Sequence, residues 1–159
     1  MENLEIERKF LVDMNKVPYD FSALDNKKIE QGYILHDPEI RVREVESEAY
    51  YMTIKSSTED PVVRNEVELK ISKEAYLKLM ERNDVYKINK TRYSVVENNN
   101  KYEIDVYGGK LTGLTCLEVE FNTKEEADAF LPPSWVKKEV TEDKRYRNGF
   151  LAKNDIPLE

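Results

Sequence analysis

The chain contains 159 residues, of which 36% are charged and 40% hydrophobic, and its formal net charge at pH 7 is -7. This length is sufficient for one domain with a buried core, while the acidic balance argues against a general nucleic-acid binder, which needs a basic surface. No signal-peptide pattern and no membrane-spanning apolar run are present. We therefore expect a single domain over residues 1–159, located in the cytoplasm, with no membrane or nucleic-acid partner.

Eight segments show the period-two alternation that is typical of β-strands. An irregular stretch follows the first segment, and short polar turns join nearly all the others. Consecutive strands with short connections predict antiparallel pairing, and eight antiparallel strands are enough to close a barrel. The predicted strands cover residues 4–12, 28–35, 39–46, 50–56, 62–71, 85–96, 101–107 and 115–122.

Three further segments show helical spacing, and a residue that can cap the helix precedes each one. The last segment follows Thr141 and carries Lys144 and Arg145 in its first turns. The helices are predicted over residues 73–83, 124–130 and 142–152. The sequence thus predicts a mainly β fold of the α+β class, an eight-stranded antiparallel barrel with a few flanking helices.

Charged residues recur two apart on one face of most strands, while the opposite face is apolar. In the first strand, Glu5, Glu7 and Lys9 share a face opposite Ile6 and Phe10. One such face alone is typical of a solvated sheet, but its recurrence on six strands favours an enclosed site, where buried charges need partners. The acids are Glu5, Glu7, Glu66, Glu68, Glu103, Asp105, Glu118 and Glu120; the bases are Lys9, Arg41, Arg43, Lys55, Lys70, Lys90 and Arg92.

These two sets of charges indicate a particular kind of ligand. Carboxylates are the hard oxygen ligands that Mg²⁺ and Mn²⁺ prefer, and guanidinium and ammonium groups suit phosphoryl oxygens. A polyphosphate bound together with a divalent cation satisfies both sets. Some charged residues, above all Arg64 and Lys70, are expected instead to form salt bridges on the surface or at the rim.

The segment Glu5-Ile6-Glu7-Arg8-Lys9 resembles the ExExK signature of the CYTH superfamily, the triphosphate tunnel metalloenzymes. Further motifs in the same order extend this resemblance over nearly the whole chain. They are Gln31-Gly32-Tyr33, Arg41-Val42-Arg43, Thr53-Ile54-Lys55, Glu66-Val67-Glu68, Lys90-Thr91-Arg92-Tyr93, Glu103-Ile104-Asp105, Glu118-Val119-Glu120-Phe121 and residues 141–146. The resemblance implies an eight-stranded antiparallel tunnel that binds triphosphate compounds with Mg²⁺ or Mn²⁺ as cofactor.

The resemblance also implies roles for the matched residues. The candidate metal ligands are Glu5, Glu7, Glu68, Asp105, Glu118 and Glu120. The candidate triphosphate-binding residues are Lys9, Arg41, Arg43, Lys55, Lys90 and Arg92, with Lys144 and Arg145 matching the family's basic C-terminal position only loosely. Lys9 and Tyr33 are candidates to position or deprotonate the attacking water, and Tyr33 fits equally well as a buried wall residue.

Cleavage of a phosphoanhydride needs in-line water attack, neutralisation of the leaving phosphate and accurate placement of the chain, which metal ions and a cationic cradle supply. We therefore expect a metal-dependent triphosphatase, a monomer or homodimer, acting on inorganic triphosphate or a related short polyphosphate. The alternatives are a class IV adenylate cyclase, a thiamine triphosphatase and a non-catalytic polyphosphate or nucleotide binding module. The paired carboxylates count against the module, because anion binding does not require so many acids.

Overall fold

The computed structural model describes the backbone of residues 2–158 and the side chains of residues 4–158. Its nine strands are β1 (Glu2–Val12), β2 (Asp25–His36), β3 (Glu39–Val45), β4 (Ala49–Ser57), β5 (Val63–Lys70), β6 (Tyr86–Glu97), β7 (Asn100–Tyr107), β8 (Thr115–Phe121) and β9 (Val136–Glu139). The helices are α1 (Lys73–Met80), α2 (Lys124–Ala129) and α3 (Asn148–Lys153). Short 3-10 turns cover Phe21–Ala23, Gly109–Leu111 and Lys144–Tyr146. None of the described helices is long and apolar enough to cross a membrane.

The sheet closes on itself through its first strand. The strands follow the order β5-β4-β3-β2-β6-β7-β8-β1, and β1 also pairs with β5, so eight antiparallel strands form a ring. The predicted eight-stranded antiparallel barrel is therefore confirmed. Closure removes the free edges of the ring, and the alternation of side chains then gives every strand an inner and an outer face.

The outer face carries much of the apolar core. Phe10, Leu117 and Val119 are fully buried there, in a cluster that includes Phe130 and Trp135 from the segment after β8. On another side of the barrel, α1 packs its buried face against β3 and β4. This packing leaves much of the inner face to charged residues.

Arg8, in the middle of the ExExK segment, points outward and holds β1 against the later chain. Its Nη1 donates to the carbonyl oxygens of Ala127 and Phe130 at 2.8 and 2.9 Å, and its Nη2 donates to Glu139 Oε1 at 2.6 Å. The two faces of β1 thus have different roles. The inner side carries Glu5, Glu7 and Lys9, and the outer side fixes the position of the strand.

The barrel is closed at one end by the C-terminal segment. Leu11, Tyr107 and Cys116 at this end form a buried apolar cluster with Tyr146 and Leu151. We call this cluster the plug. It confines any cavity inside the barrel to the side of the plug on which the charged residues lie.

Two local predictions were wrong. The helix predicted over residues 142–152 is divided into a 3-10 turn and α3, because Arg147 has an extended backbone (φ -67°, ψ 140°). Thr141 does not cap it: its hydroxyl accepts from the amide of Lys9 and donates to Glu139. The strand β9 was not predicted, since its four residues lack a clear alternation and it is held by pairing with the end of β1.

Candidate active site

The inner faces of the strands enclose a charged cavity of about 370 Å³, which we call the tunnel. Its volume lies near the lower end of the range of roughly 300–1,000 Å³ for small-molecule sites. Fifteen charged side chains line it, so the predicted convergence of charged strand faces is what the barrel shows. They are Glu5, Glu7, Lys9, Glu39, Arg41, Arg43, Lys55, Arg64, Glu66, Glu68, Arg92, Glu103, Glu118, Glu120 and Arg147.

Carboxylates from β1 and β8 face each other across one strand pair. Glu7 lies opposite Glu120 and Lys9 lies opposite Glu118 in the register of these strands. Burial raises the pKa of the Glu7 carboxyl well above its ordinary value, and the charges of Glu118 and Glu5 raise it further. Burial and the charge of Glu5 likewise raise the pKa of Glu120. Carboxylates therefore outnumber cations on this wall.

No three His, Cys, Asp or Glu side chains in the described part of the chain are arranged to hold a metal ion by themselves. In protein sites Mg²⁺ keeps several waters and takes phosphate oxygens of a substrate as further ligands, in addition to carboxylates. The excess of carboxylate charge around Glu7 is the observation that favours a cation here. The donor set is all oxygen, as Mg²⁺ and Mn²⁺ require.

Glu5 is the acid of β1 that is already paired. Its Oε1 accepts from Lys55 Nζ at 2.9 Å. Burial raises the pKa of Glu5, but Lys55 and a hydrogen bond with Glu66 outweigh burial and hold the pKa well below its ordinary value. The same hydrogen bond with Glu5, together with burial, raises the pKa of Glu66 to about 7. Glu5 and Glu66 therefore share a proton near neutral pH.

Three arginines on β3 and β5 supply the cationic side of the tunnel. Arg43 Nε donates to Gln31 Oε1 at 2.8 Å, and burial together with Arg41 and Arg92 lowers its pKa to about 10. The buried Nε atoms of Arg41 and Arg64 have no hydrogen-bond partner in the described structure. Because unsatisfied buried donors are costly, these atoms indicate a place for an anion.

A network of buried ion pairs lies at the tunnel wall formed by β6, β7 and β8. Asp105 Oδ2 accepts from Lys90 Nζ at 2.7 Å, and Asp105 Oδ1 accepts from Arg92 Nε at 2.7 Å. Arg92 also pairs with Glu118 at 3.0 Å and with Glu103 at 3.2 Å. The side chains of Lys90 and Asp105 are completely buried, and neither lines the tunnel. In this arrangement both support Arg92 from behind.

Comparison with known proteins gives a consistent result. Residues 3–147 match the CYTH domain family. The chain is 39% identical to an inorganic triphosphatase of Nitrosomonas europaea over 152 residues, covering 93% of this chain and 96% of that protein. It is 32% identical to an inorganic triphosphatase of Acetivibrio thermocellus over 159 residues, covering 94% of each. A crystal structure of an inorganic triphosphatase superposes with a TM-score of 0.68 at 38% identity, with 97% of each chain covered.

The chain belongs to the CYTH domain family. In this CYTH chain, Glu5, Glu7 and Lys9 of the ExExK segment line the tunnel, whereas Arg8 points outward. The two named relatives cover 93% and 94% of this chain, and the family match covers residues 3–147, which include all the strands of the barrel from residue 3 onward.

The two candidates for handling the attacking water in the CYTH tunnel are both held by buried contacts. Lys9 Nζ donates to the Tyr146 carbonyl oxygen at 2.6 Å and lies 3.7 Å from Glu118 Oε1. Burial lowers the pKa of Lys9, but Cys116 and Glu118 raise it by a larger amount. The net shift is upward, so the ammonium form is favoured. The hydroxyl of Tyr33 accepts from Gln31 Nε2 at 2.7 Å, and burial raises its pKa. Both groups are thus better suited to positioning a ligand than to accepting a proton.

The remaining predicted residues have different positions. Glu68 and Glu120 line the tunnel but are exposed, which places them at its solvent end. Arg145 lies outside the tunnel lining, paired with Asp143 at 2.7 Å on the surface. Lys144 lies outside it too, in an adjoining cavity. Since the backbone is extended at Arg147, this residue faces the tunnel instead.

Three tunnel residues were missed by sequence reasoning. Arg64, expected at the surface or rim, lines the tunnel and lies 3.8 Å from Glu39. Glu39 precedes Arg41 and Arg43 at the same period of two, so an extension of the arginine pattern by one step would have found it. Nothing in the sequence distinguishes Arg147 from its neighbours Lys144 and Arg145.

Proposed function

We propose that this protein is a metal-dependent triphosphatase whose substrate is inorganic triphosphate. The observation that carries the proposal is the tunnel itself, in which a wall with an excess of carboxylates faces arginines with unpartnered buried nitrogen atoms. A triphosphate with a divalent cation supplies what each side lacks. The names of the two relatives, both inorganic triphosphatases, agree with this chemistry.

The metal site is proposed at the acidic wall, with Glu5, Glu7 and Glu120 as ligands and Glu118 nearby. When bound, Mg²⁺ or Mn²⁺ would neutralise phosphoryl oxygens and orient the leaving group. Glu68 stays a candidate ligand at the solvent end. Asp105 has both carboxylate oxygens occupied by Lys90 and Arg92, so we assign it a supporting role in place of direct coordination.

The phosphate chain is proposed to lie along the arginines. Arg41 presents a free Nε, and Arg43 and Arg92 hold fixed guanidinium planes that match the geometry of phosphoryl oxygens. Lys9 and Lys55 contribute ammonium groups on the acidic side. Lys90 acts through Arg92, because its ammonium is buried against Asp105 and outside the tunnel lining.

Water attack is proposed at the inner end of the bound triphosphate, where Lys9 and Tyr33 lie. Lys9 remains protonated there and would stabilise charge on the transferred phosphoryl group, while Tyr33 would orient the water through its hydroxyl. The proposal needs no covalent intermediate. Placement and electrostatic stabilisation account for most of phosphoryl-transfer catalysis.

A product assay tests this function directly. The protein is incubated with tripolyphosphate, ATP or thiamine triphosphate, each with Mg²⁺ or Mn²⁺, and the products are identified. Orthophosphate from tripolyphosphate, faster than from the other two, is the expected result. Cyclic AMP from ATP would establish the cyclase instead, and binding without turnover would leave only a binding module.

Three further predictions accompany the proposed function. We propose that residues 1–159 form one CYTH domain, since the family match covers residues 3–147. The cytoplasmic location and the choice between monomer and homodimer stay predictions from the sequence. Size-exclusion chromatography with light scattering would determine the oligomeric state.

A further inference from the structure

A second cavity of about 430 Å³ adjoins the closed end of the tunnel. It lies between the turn joining β2 and β3, the ends of β4 and β5, and the C-terminal segment. Four residues line both cavities: Glu39, Lys55, Arg64 and Arg147. We call this space the side cavity. Its lining also includes Lys144, which is exposed to solvent.

Positive charge predominates in the side cavity. Four cationic side chains line it, Lys55, Arg64, Lys144 and Arg147, against two carboxylates, Asp37 and Glu39. Lys55 is already paired with Glu5, so Arg64, Lys144 and Arg147 carry the excess. Such an excess in a concave, partly buried space favours an anion.

The arginines of the side cavity are incompletely satisfied. Arg64 lies 3.8 Å from Glu39, longer than a hydrogen bond, and its buried Nε has no partner in the described structure. Burial lowers the pKa of Arg147, and the neighbouring charge of Arg64 lowers it further, as expected for two cations that line one cavity. A bound anion would relieve this repulsion and satisfy the free donor.

We propose that the side cavity is a second phosphate-binding subsite, which takes one phosphoryl group beyond those held in the tunnel. The inference rests on the proposed function. The plug blocks the barrel behind Lys9 and Tyr33. A phosphate released at the inner end therefore has the remaining phosphoryl groups of the substrate between it and the solvent end of the tunnel. The side cavity is the cationic space that adjoins this position.

Two sources can supply the phosphoryl group. One is the orthophosphate that hydrolysis releases, for which the side cavity serves as an exit. The other is the fourth phosphoryl unit of a linear polyphosphate longer than triphosphate. Both present the same tetrahedral oxygens to Arg64, Lys144 and Arg147.

Lys144 allows the subsite to be tested, because it lines the side cavity and is absent from the tunnel lining. Lys144→Glu is compared with Lys16→Glu, which makes the same charge change at an exposed position outside both cavities. Orthophosphate is titrated calorimetrically into each full-length protein, first alone and then with the tunnel filled by imidotriphosphate. Lys144→Glu is expected to weaken orthophosphate binding by about fivefold or more, as loss of a charge-assisted contact implies, while Lys16→Glu binds like the unaltered protein.

Equal binding by the two variants would overturn the subsite. A different result would contradict the proposed function: the unaltered protein would fail to bind imidotriphosphate or to hydrolyse triphosphate. In that case the titration of the free protein still decides whether the side cavity binds phosphate.

Kinetics distinguishes the two sources. If released orthophosphate occupies the subsite, Lys144→Glu weakens product inhibition of triphosphate hydrolysis and leaves the preference between tetraphosphate and triphosphate unchanged. If a longer chain occupies it, the ratio of kcat/KM for tetraphosphate to that for triphosphate falls, and Lys144→Arg restores it. A variant that changes neither quantity contradicts the proposal.

Discussion

The two ends of the tunnel differ in how far their charges have been removed from water. At the solvent end Glu68 and Glu120 are exposed, whereas Lys9, Arg41 and Lys55 toward the plug are only 6–8% exposed. The acids of the tunnel include three with raised pKa values, and the pKa values of Lys9 and Arg41 are raised as well. The difference indicates that an added cation would stabilise the ionised acids, while neighbouring acids already favour the charged form of these two cations.

Removing one carboxylate of the acidic wall is expected to have the largest effect. Glu7→Gln should lower metal-dependent triphosphate hydrolysis on the order of 10³-fold, more than the roughly 10–100-fold cost of losing an outer partner of a metal ligand. Its thermal midpoint without metal should stay equal or rise, because a repelled carboxylate has been removed. Glu81→Gln, at an exposed position, is the control. Activity that survives in Glu7→Gln would contradict the metal assignment.

The buried network behind Arg92 should matter mainly for stability. Asp105→Ala leaves the charges of Lys90 and Arg92 without their carboxylate, which is expected to lower the free energy of unfolding by about 3 kcal/mol. The exposed pair of Arg82 and Asp84 has the same 2.7 Å separation, so Asp84→Ala is a matched control with a much smaller expected cost, because water screens the exposed pair. Denaturant unfolding measures both. Similar losses would show that burial does not strengthen the network.

On the cationic side, shape should matter as well as charge. Arg41→Lys keeps one positive charge but removes the Nε donor and the planar fork, so kcat/KM for triphosphate should fall about tenfold. Arg82→Lys makes the same change on the surface and should have no effect on activity. An unaltered kcat/KM in Arg41→Lys would mean that a point charge suffices at this position.

A smaller effect concerns the shared proton of Glu5 and Glu66. The pKa of Glu66 is raised to about 7 in the folded protein, against 4.5 ordinarily, so its contribution to stability is complete below about pH 4.5 and is lost as pH rises through about 7. We expect metal-free protein to lose on the order of 1 kcal/mol across this range. Glu66→Gln should flatten the pH profile in denaturant unfolding. If the free energy of unfolding rises between pH 5 and 7 in both the unaltered protein and Glu66→Gln, the shared proton is contradicted.

The fold could be predicted because the period-two pattern is a local property. Residues such as Glu7 and Ile6 point to opposite faces whatever the strand pairs with, so the eight strands and the charged interior followed from the sequence. The pairing inside the tunnel could not be read in the same way. Whether Asp105 meets a metal ion or Lys90 depends on strand register and shear, which no single segment encodes.

The errors near the C-terminus have a related cause. Residues 142–152 have the local spacing of one helix, but contacts with β1 interrupt it at Arg147. Strand β9 exists because β1 offers an edge beyond the end of β5. In both cases a distant segment decides the local structure, and the same contacts turn Arg147 inward in place of Arg145.

The hydrogen bond from Lys9 to the Tyr146 carbonyl joins the beginning of the chain to its end. It orients the ammonium group of the ExExK segment, so this part of the site acquires its geometry only after residue 146 has been synthesised. A fragment that stops before residue 146 would lack this contact, and we expect it to position Lys9 poorly and to hydrolyse triphosphate slowly.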